Sequence, residues 1–345
     1  MSTQIERLVR EADRLGSTDE ALQILQQAIQ IADAENDTFL GLVCRKRAMW
    51  LARVLLRSDL LATAFSWSVA KYDESPDRYA EFNPLGEYAL VIGLLANFPS
   101  ITKVRIEGLL EDMADRYEAA NWSLDNIQDV RWSIAWDFGD SAMAMGARNA
   151  LKLKFSQSSE FLYHDVHHQL FLREEAEAIR AGERYLSGKL SSDDVCANLL
   201  MPLIRSGNAD RAHAVYTRLS PLHNDVYYWP YGERMKYLVH TRKTDVAIRC
   251  YQRYQAVVSE HSDPLTKLYF YTDMITLFRE LCHTKSSPLN LKLPAEVPVE
   301  HDNHQYSVFD LHDWIVGQAR ELAGQFDDRN GNSFYGDRFD LAVHA

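Results

Sequence analysis

Three imidazoles crowd the stretch YHDVHHQ, Tyr163 to Gln169. His164 and His168 are four residues apart and His164 and His167 three apart, so on a helix they share a face and could offer nitrogen ligands to a metal, with Glu160 or Asp165 beside them. Zinc-peptidase helices of the form HExxH space their histidines in the same way. Here, however, Asp165 stands where Glu would serve as base. A solvated or groove-lining histidine cluster is the plainer reading. Glu300-His301-Asp302-Asn303-His304 lies in a proline-rich stretch and reads as a polar loop. A glycosidase-like carboxylate pair would have to come from Asp137, Asp140 and the acids of FDDRNGNSFYGDRFD, but no spacing selects two facing acids, and Asp140 is placed to cap a helix N-terminus. The segment Asp327 to Asp337 fails the EF-hand template, and no phosphate-binding glycine loop or GxSxG elbow occurs. An all-α hydrolase or metal-dependent enzyme built on His164, His167 and His168 or on a carboxylate pair therefore stands as the alternative reading. No cofactor and no committed metal site are expected.

With 345 residues and 46% hydrophobic content the chain has ample material for a core. Its formal charge is −12 and no long basic run occurs, which argues against nucleic acid or an anionic membrane as partner. Cys44, Cys196, Cys250 and Cys282 are scattered through helical patterns, as small buried hydrophobes in a reducing compartment would be. The charged, amphipathic start MSTQIERLVREADRLG and the lack of any long uncharged apolar stretch point to a soluble cytoplasmic protein.

The elements that must position these residues are helices. Residues 2–15 and 18–34 show 3/4 apolar spacing, with Ser17 and Glu20 as a capping box between them. Helices are expected at 37–57 and 60–72, then in pairs at 85–98 with 101–119, 125–137 with 140–154, 159–171 with 173–187, 193–205 with 209–220, and 228–240 with 244–259. A helix at 264–283 precedes a long surface loop over 284–306, marked by Pro288, Pro294 and Pro298. Residues 307–326 form a capping helix, and 327–345 read as a polar tail, disordered or a lid. No strand is expected.

The segments GNADRAHAVYTRL and RKTDVAIRCYQRY repeat one pattern 35 residues apart, with Ala212 mapping onto Ala247 and Tyr216 onto Tyr251. Steps of 34 backwards from Ala212 reach Ala178, Ala144 and Leu110. In these residues the chain resembles divergent tetratricopeptide-repeat proteins, with repeat position 20 read as that series and position 27 as Tyr117, Leu151, Tyr185, Leu219 and Tyr254. Position 8 departs from the family's small residue, being Trp132, Val166, Leu200 and Met235, so the helices of a pair should pack less closely there. The resemblance implies an all-α, right-handed α-solenoid of stacked antiparallel helix pairs. It divides into irregular hairpins at 1–84, a regular array at 85–260, capping helices at 261–326 and the tail. It also implies a concave groove lined by the first helix of each pair. The residues expected there are Asn126, Asp129, Tyr163, His164, His167, Asn198, Arg205, Trp229, Glu233, Lys236 and His240. Their mix of aromatic anchors and directional donors suits capture of a protein or peptide segment, and a scaffold or adaptor role is the expectation. Tyr227 to Tyr231 would form a contact patch if exposed.

Overall fold

The computed structural model describes residues 2–188, 192–219, 231–261, 263–284 and 288–344. The fold is all-α apart from a small sheet. In order, the helices are α1 Ser2–Leu15, α2 Asp19–Ala34, α3 Thr38–Val54, α4 Ser58–Glu74, α5 Tyr88–Ala96, α6 Lys103–Ala119, α7 Asp125–Asp137, α8 Ser141–Phe155, α9 Ser159–Phe171 and α10 Glu175–Ser187. They continue as α11 Asp193–Arg205, α12 Ala209–Tyr216, α13 Tyr231–His240, α14 Thr244–His261, α15 Pro264–Thr284, α16 Val308–Asn330 and α17 Phe334–His344. No helix among the described residues is long and apolar enough to cross a membrane. The chain divides into two compact units, Met1–Val130 and Arg131–Ala345.

In the first unit the apolar face of α1 (Ile5, Leu8, Val9, Ala12) packs on Ala21, Leu22, Leu25, Ala28 and Ala32 of α2 and on Cys44, Ala48 and Leu51 of α3. The α2 cap is Thr18, whose hydroxyl accepts from the Ala21 N–H at 3.2 Å. The expected Ser17 box is corrected by one residue, because the helix starts at Asp19 and its free N–H groups lie within reach of Thr18. Arg45 is buried on α3 because Asp33 takes both ends of its guanidinium at 3.0 and 2.7 Å and Trp67 lies 3.6 Å beneath it. Burial pushes the Cys44 thiol up to about 11, so this cysteine is inert packing material.

The second unit is an array of antiparallel helix pairs, and a repeat is visible in its backbone. The turn within each pair closes with one residue in the left-handed region, at Gly139, Arg173, Gly207 and Arg242. The residue after each donates its N–H five residues back, Asp140 to Ala135, Glu174 to Gln169, Asn208 to Leu203 and Lys243 to Leu238, over 2.7–2.9 Å. That is a Schellman-type stop, and it recurs at intervals of 34, 34 and 35 residues. Ala144, Ala178, Ala212 and Ala247 are all fully buried, since only a methyl group fits where the helices of a pair cross. The large position-8 residues are core as well: Trp132, Val166, Leu200 and Met235 are at most 2% exposed.

Two stretches depart from the sequence expectation. Within 284–306, Leu289–Asn290 (β1), His301–Asp302 (β2) and Gln305–Tyr306 (β3) form an antiparallel sheet in the order β1-β3-β2. Leu289, Leu291, Val297, Val299 and Tyr306 sink into the core shared with α15 and α16, so this is a packed insertion and not a surface loop. The polar tail is likewise corrected. Helix α16 continues to Asn330, stops at the left-handed Gly331, and is followed by α17. Asp327 accepts the Tyr335 and Gly336 N–H groups at 2.8 and 2.7 Å, a cap supplied from eight and nine residues upstream.

Candidate partner-binding face

In the second unit, side chains expected to line a face make contacts between helices, those of α9 with α11 and those of α13 with α15. On α9, Tyr163 and His167 are four apart, and both reach Asp194 on α11: the Tyr163 hydroxyl donates to Oδ2 at 2.6 Å and His167 Nε2 lies 2.8 Å from the same oxygen. Asn198, one turn along α11, donates to Asp194 Oδ1 at 2.8 Å. Burial works against the Asp194 carboxylate, but His167 and these hydrogen bonds outweigh it and hold its pKa below the usual range. Tyr163, buried against that charge, is pushed far up. On α13, Lys236 donates to Glu233 Oε1 and approaches Asp273 Oδ1 of α15, both at 2.7 Å. Burial disfavours its charge, yet the two carboxylates raise its pKa. Gly232 is required here, because a Cβ at that position would overlap the Asp273 carboxylate.

The histidine cluster divides its loyalties. His168 is fully buried and its Nδ1 accepts the Trp132 indole N–H at 3.0 Å, so the ring is neutral; burial and Arg148 push its pKa down to about 4. His164 lies against Trp132 and Trp136 at ring distances of 5.5 and 5.8 Å, while His167 lies 5.7 Å from Trp136 and 4.8 Å from Tyr163. Asp165, also buried, accepts from Arg148 at 2.7 Å and from Gln169 at 3.0 Å. Among the described residues no three His, Cys, Asp or Glu side chains gather as metal ligands, so this arrangement lends the metal reading no support.

The remaining expected residues are dispersed. Asn126 and Asp129 fall in the first unit, with Asn126 exposed and Asp129 half-buried. Arg205 turns to Glu175 at the start of α10 at 2.7 Å, tying one pair to the next. His240 is exposed at the end of α13. Trp229 lies outside the described residues, and so do residues 227–230 of the patch from Tyr227 to Tyr231. Among the carboxylates, Asp140 caps α8, accepting from the Met143 N–H at 2.9 Å. Asp137 sits where α16 and α17 dock. Its carbonyl accepts from Arg329, Asn330 and Tyr335 at 3.0, 2.9 and 3.2 Å, and Phe334 packs against Phe171 and Gly139. Burial raises the Asp137 carboxyl to about 7, against the opposing pull of Arg329.

Asp194, which the repeat register also places on the expected face, joins Tyr163, His167 and Asn198, whereas Asp273, the partner of Lys236, is not in the expected set. Asp273 was legible in principle, since counting the register one repeat beyond Val239 places it at the same lining position.

No protein-family model and no curated protein matches the chain. Among solved structures, the APC/C hetero-tetramer Cut9-Hcn1 is similar at 14% identity, with 93% of this chain and 59% of that chain covered and a TM-score of 0.43. The chain thus spans 59% of that relative's length, and the all-α assignment rests on this chain's own helices.

Proposed function

We propose that Arg131–Ala345 is a protein-binding scaffold that captures a partner segment on the face lined by Tyr163, His167, Asn198, Glu233 and Lys236. The observation that carries this reading is that these polar side chains are held in two sets by contacts of 2.6–2.8 Å, Tyr163, His167 and Asn198 on Asp194 between α9 and α11, and Glu233 and Lys236 with Asp273 between α13 and α15. Such a face is rigid before any partner arrives, so most of the ordering entropy is lost by the partner alone.

The test is affinity capture from native extract with wild type beside Asn198→Arg, which projects a long charged side chain over the half-buried face without emptying the core. Loss of a wild-type partner from a variant of unchanged circular dichroism and melting supports the reading. Full retention by the folded variant, or an empty wild-type lane, overturns it.

A further inference from the structure

A separate surface lies in the unit Met1–Val130. Along α3, Phe39, Val43, Lys46, Trp50, Arg53 and Val54 follow one another at intervals of four, three, four, three and one, so they form one stripe over about four turns of helix. Phe39, Trp50 and Val54 are 44, 52 and 37% exposed, whereas Leu42, Ala48, Leu51 and Ala52 on the inner side are at most 5% exposed. The apolar side chains are thus arranged on two sides of one helix, and only one side is used by the unit's core. The stripe is also ordered: Phe82 meets the Phe39 ring edge-on at 5.4 Å.

Its charge is equally uneven. The helix carries Arg45, Lys46, Arg47 and Arg53 with no Asp or Glu, in a chain of net charge −12. Arg45 is committed to Asp33 and Arg47 to Asp13. Lys46 and Arg53, the two cations on the stripe itself, have no carboxylate within ion-pair distance among the described residues. The outer face therefore reads apolar, cationic, apolar, cationic along its length.

We infer that this stripe is a docking surface for an acidic amphipathic helix of another protein, one with apolar side chains at 3/4 spacing and Asp or Glu between them. The apolar anchors would cover Phe39, Val43, Trp50 and Val54, as in helix-in-groove recognition, and the acids would meet Lys46 and Arg53. Large apolar side chains exposed in a row mark contact sites, and complementary charge fixes register and excludes wrong partners. This inference does not rest on the face lined by Tyr163 and Lys236, which lies in the other unit.

The experiment is fluorescence anisotropy of the full chain with labelled helical peptides of about 18 residues, long enough to match four turns. They carry Leu at 3/4 spacing in three registers, flanked either by Glu or by Lys. A Glu peptide should bind at least ~10-fold more tightly than its Lys counterpart, with an advantage that shrinks as salt rises. Trp50→Ser and the pair Lys46→Glu with Arg53→Glu should each weaken the Glu peptide by ~10-fold or more, and the charge-reversed pair should gain affinity for the Lys peptide. Lys46 and Trp50 face solvent and Arg53 is half-buried without a carboxylate partner among the described residues, so unchanged circular dichroism and melting should accompany the loss. Equal binding of Glu and Lys peptides, or no binding of any Glu peptide, overturns the inference. So does sedimentation showing a wild-type dimer that Trp50→Ser dissociates, because the occupant is then a second copy of this chain.

Discussion

Replacing Asp194 by Ala isolates the polar joint between α9 and α11. The carboxylate accepts from Tyr163 at 2.6 Å and Asn198 at 2.8 Å, and His167 lies 2.8 Å away. Hydrogen bonds to a charged group contribute ~1.5–3 kcal/mol each when one partner is deleted, and leaving a buried donor unmade adds to that. Two terms reduce the sum. Tyr163 and Asn198 are only half-buried and can turn to water, and the variant no longer pays to desolvate a carboxylate. The expected net loss is about 2–4 kcal/mol, read from urea unfolding by circular dichroism and tryptophan fluorescence. Asp194→Asn, which keeps an acceptor, should lose about half as much. Tyr163→Phe in the Asp194→Ala background should cost almost nothing further, because the two positions share one interaction. A loss below about 0.5 kcal/mol for Asp194→Ala, the size of an ordinary surface change, would refute the joint.

Other outcomes follow from the same geometry. His168 has its pKa pushed from 6.5 down to about 4, so between those values the unfolded chain binds more protons and this group makes stability rise with pH, by up to about 3 kcal/mol. Asp137, pushed from 3.8 up to about 7, does the reverse, its contribution being lost as pH rises through 7. His168→Gln should therefore tilt the urea midpoint between pH 4 and 7 downward with pH, and Asp137→Asn should tilt it upward; identical slopes for both would contradict the assignment. Arg242→Gly relieves a left-handed residue at a turn where Gly207 already serves the equivalent stop, and should stabilise by up to about 1 kcal/mol in the same assay. Ala178→Leu, at a fully buried crossing, should destabilise by about 1–3 kcal/mol, whereas Val104→Ser at 77% exposure should stay within about 0.5 kcal/mol. Asn330→Ala removes the 2.9 Å bond to the Asp137 carbonyl and should hasten proteolysis within α17.

The sequence by itself determined that the chain is helical and, from Ala144 to Ala247, where each pair crosses. A 3/4 apolar period defines the buried face of each helix, and a crossing point tolerates only a small side chain, so both leave a mark in one dimension. Likewise Asp140 was legible as a cap, since its bond to the Met143 N–H is local.

What only the tertiary structure decided depends on partners far along the chain. The strands of 289–306 are two residues each and exist because Leu289 pairs with Tyr306, too short a run for any period to register. Helix α17 was hidden in a turn-rich polar tail because its cap, Asp327, lies upstream of the turn and its docking surface, Asp137 to Gly139, nearly 200 residues away. The lining residues show the same division. The repeat resemblance implied that Tyr163, His167 and Lys236 share a face. That they are bound to Asp194 and Asp273, with Gly232 leaving room, follows only from the stacking of one helix pair on the next.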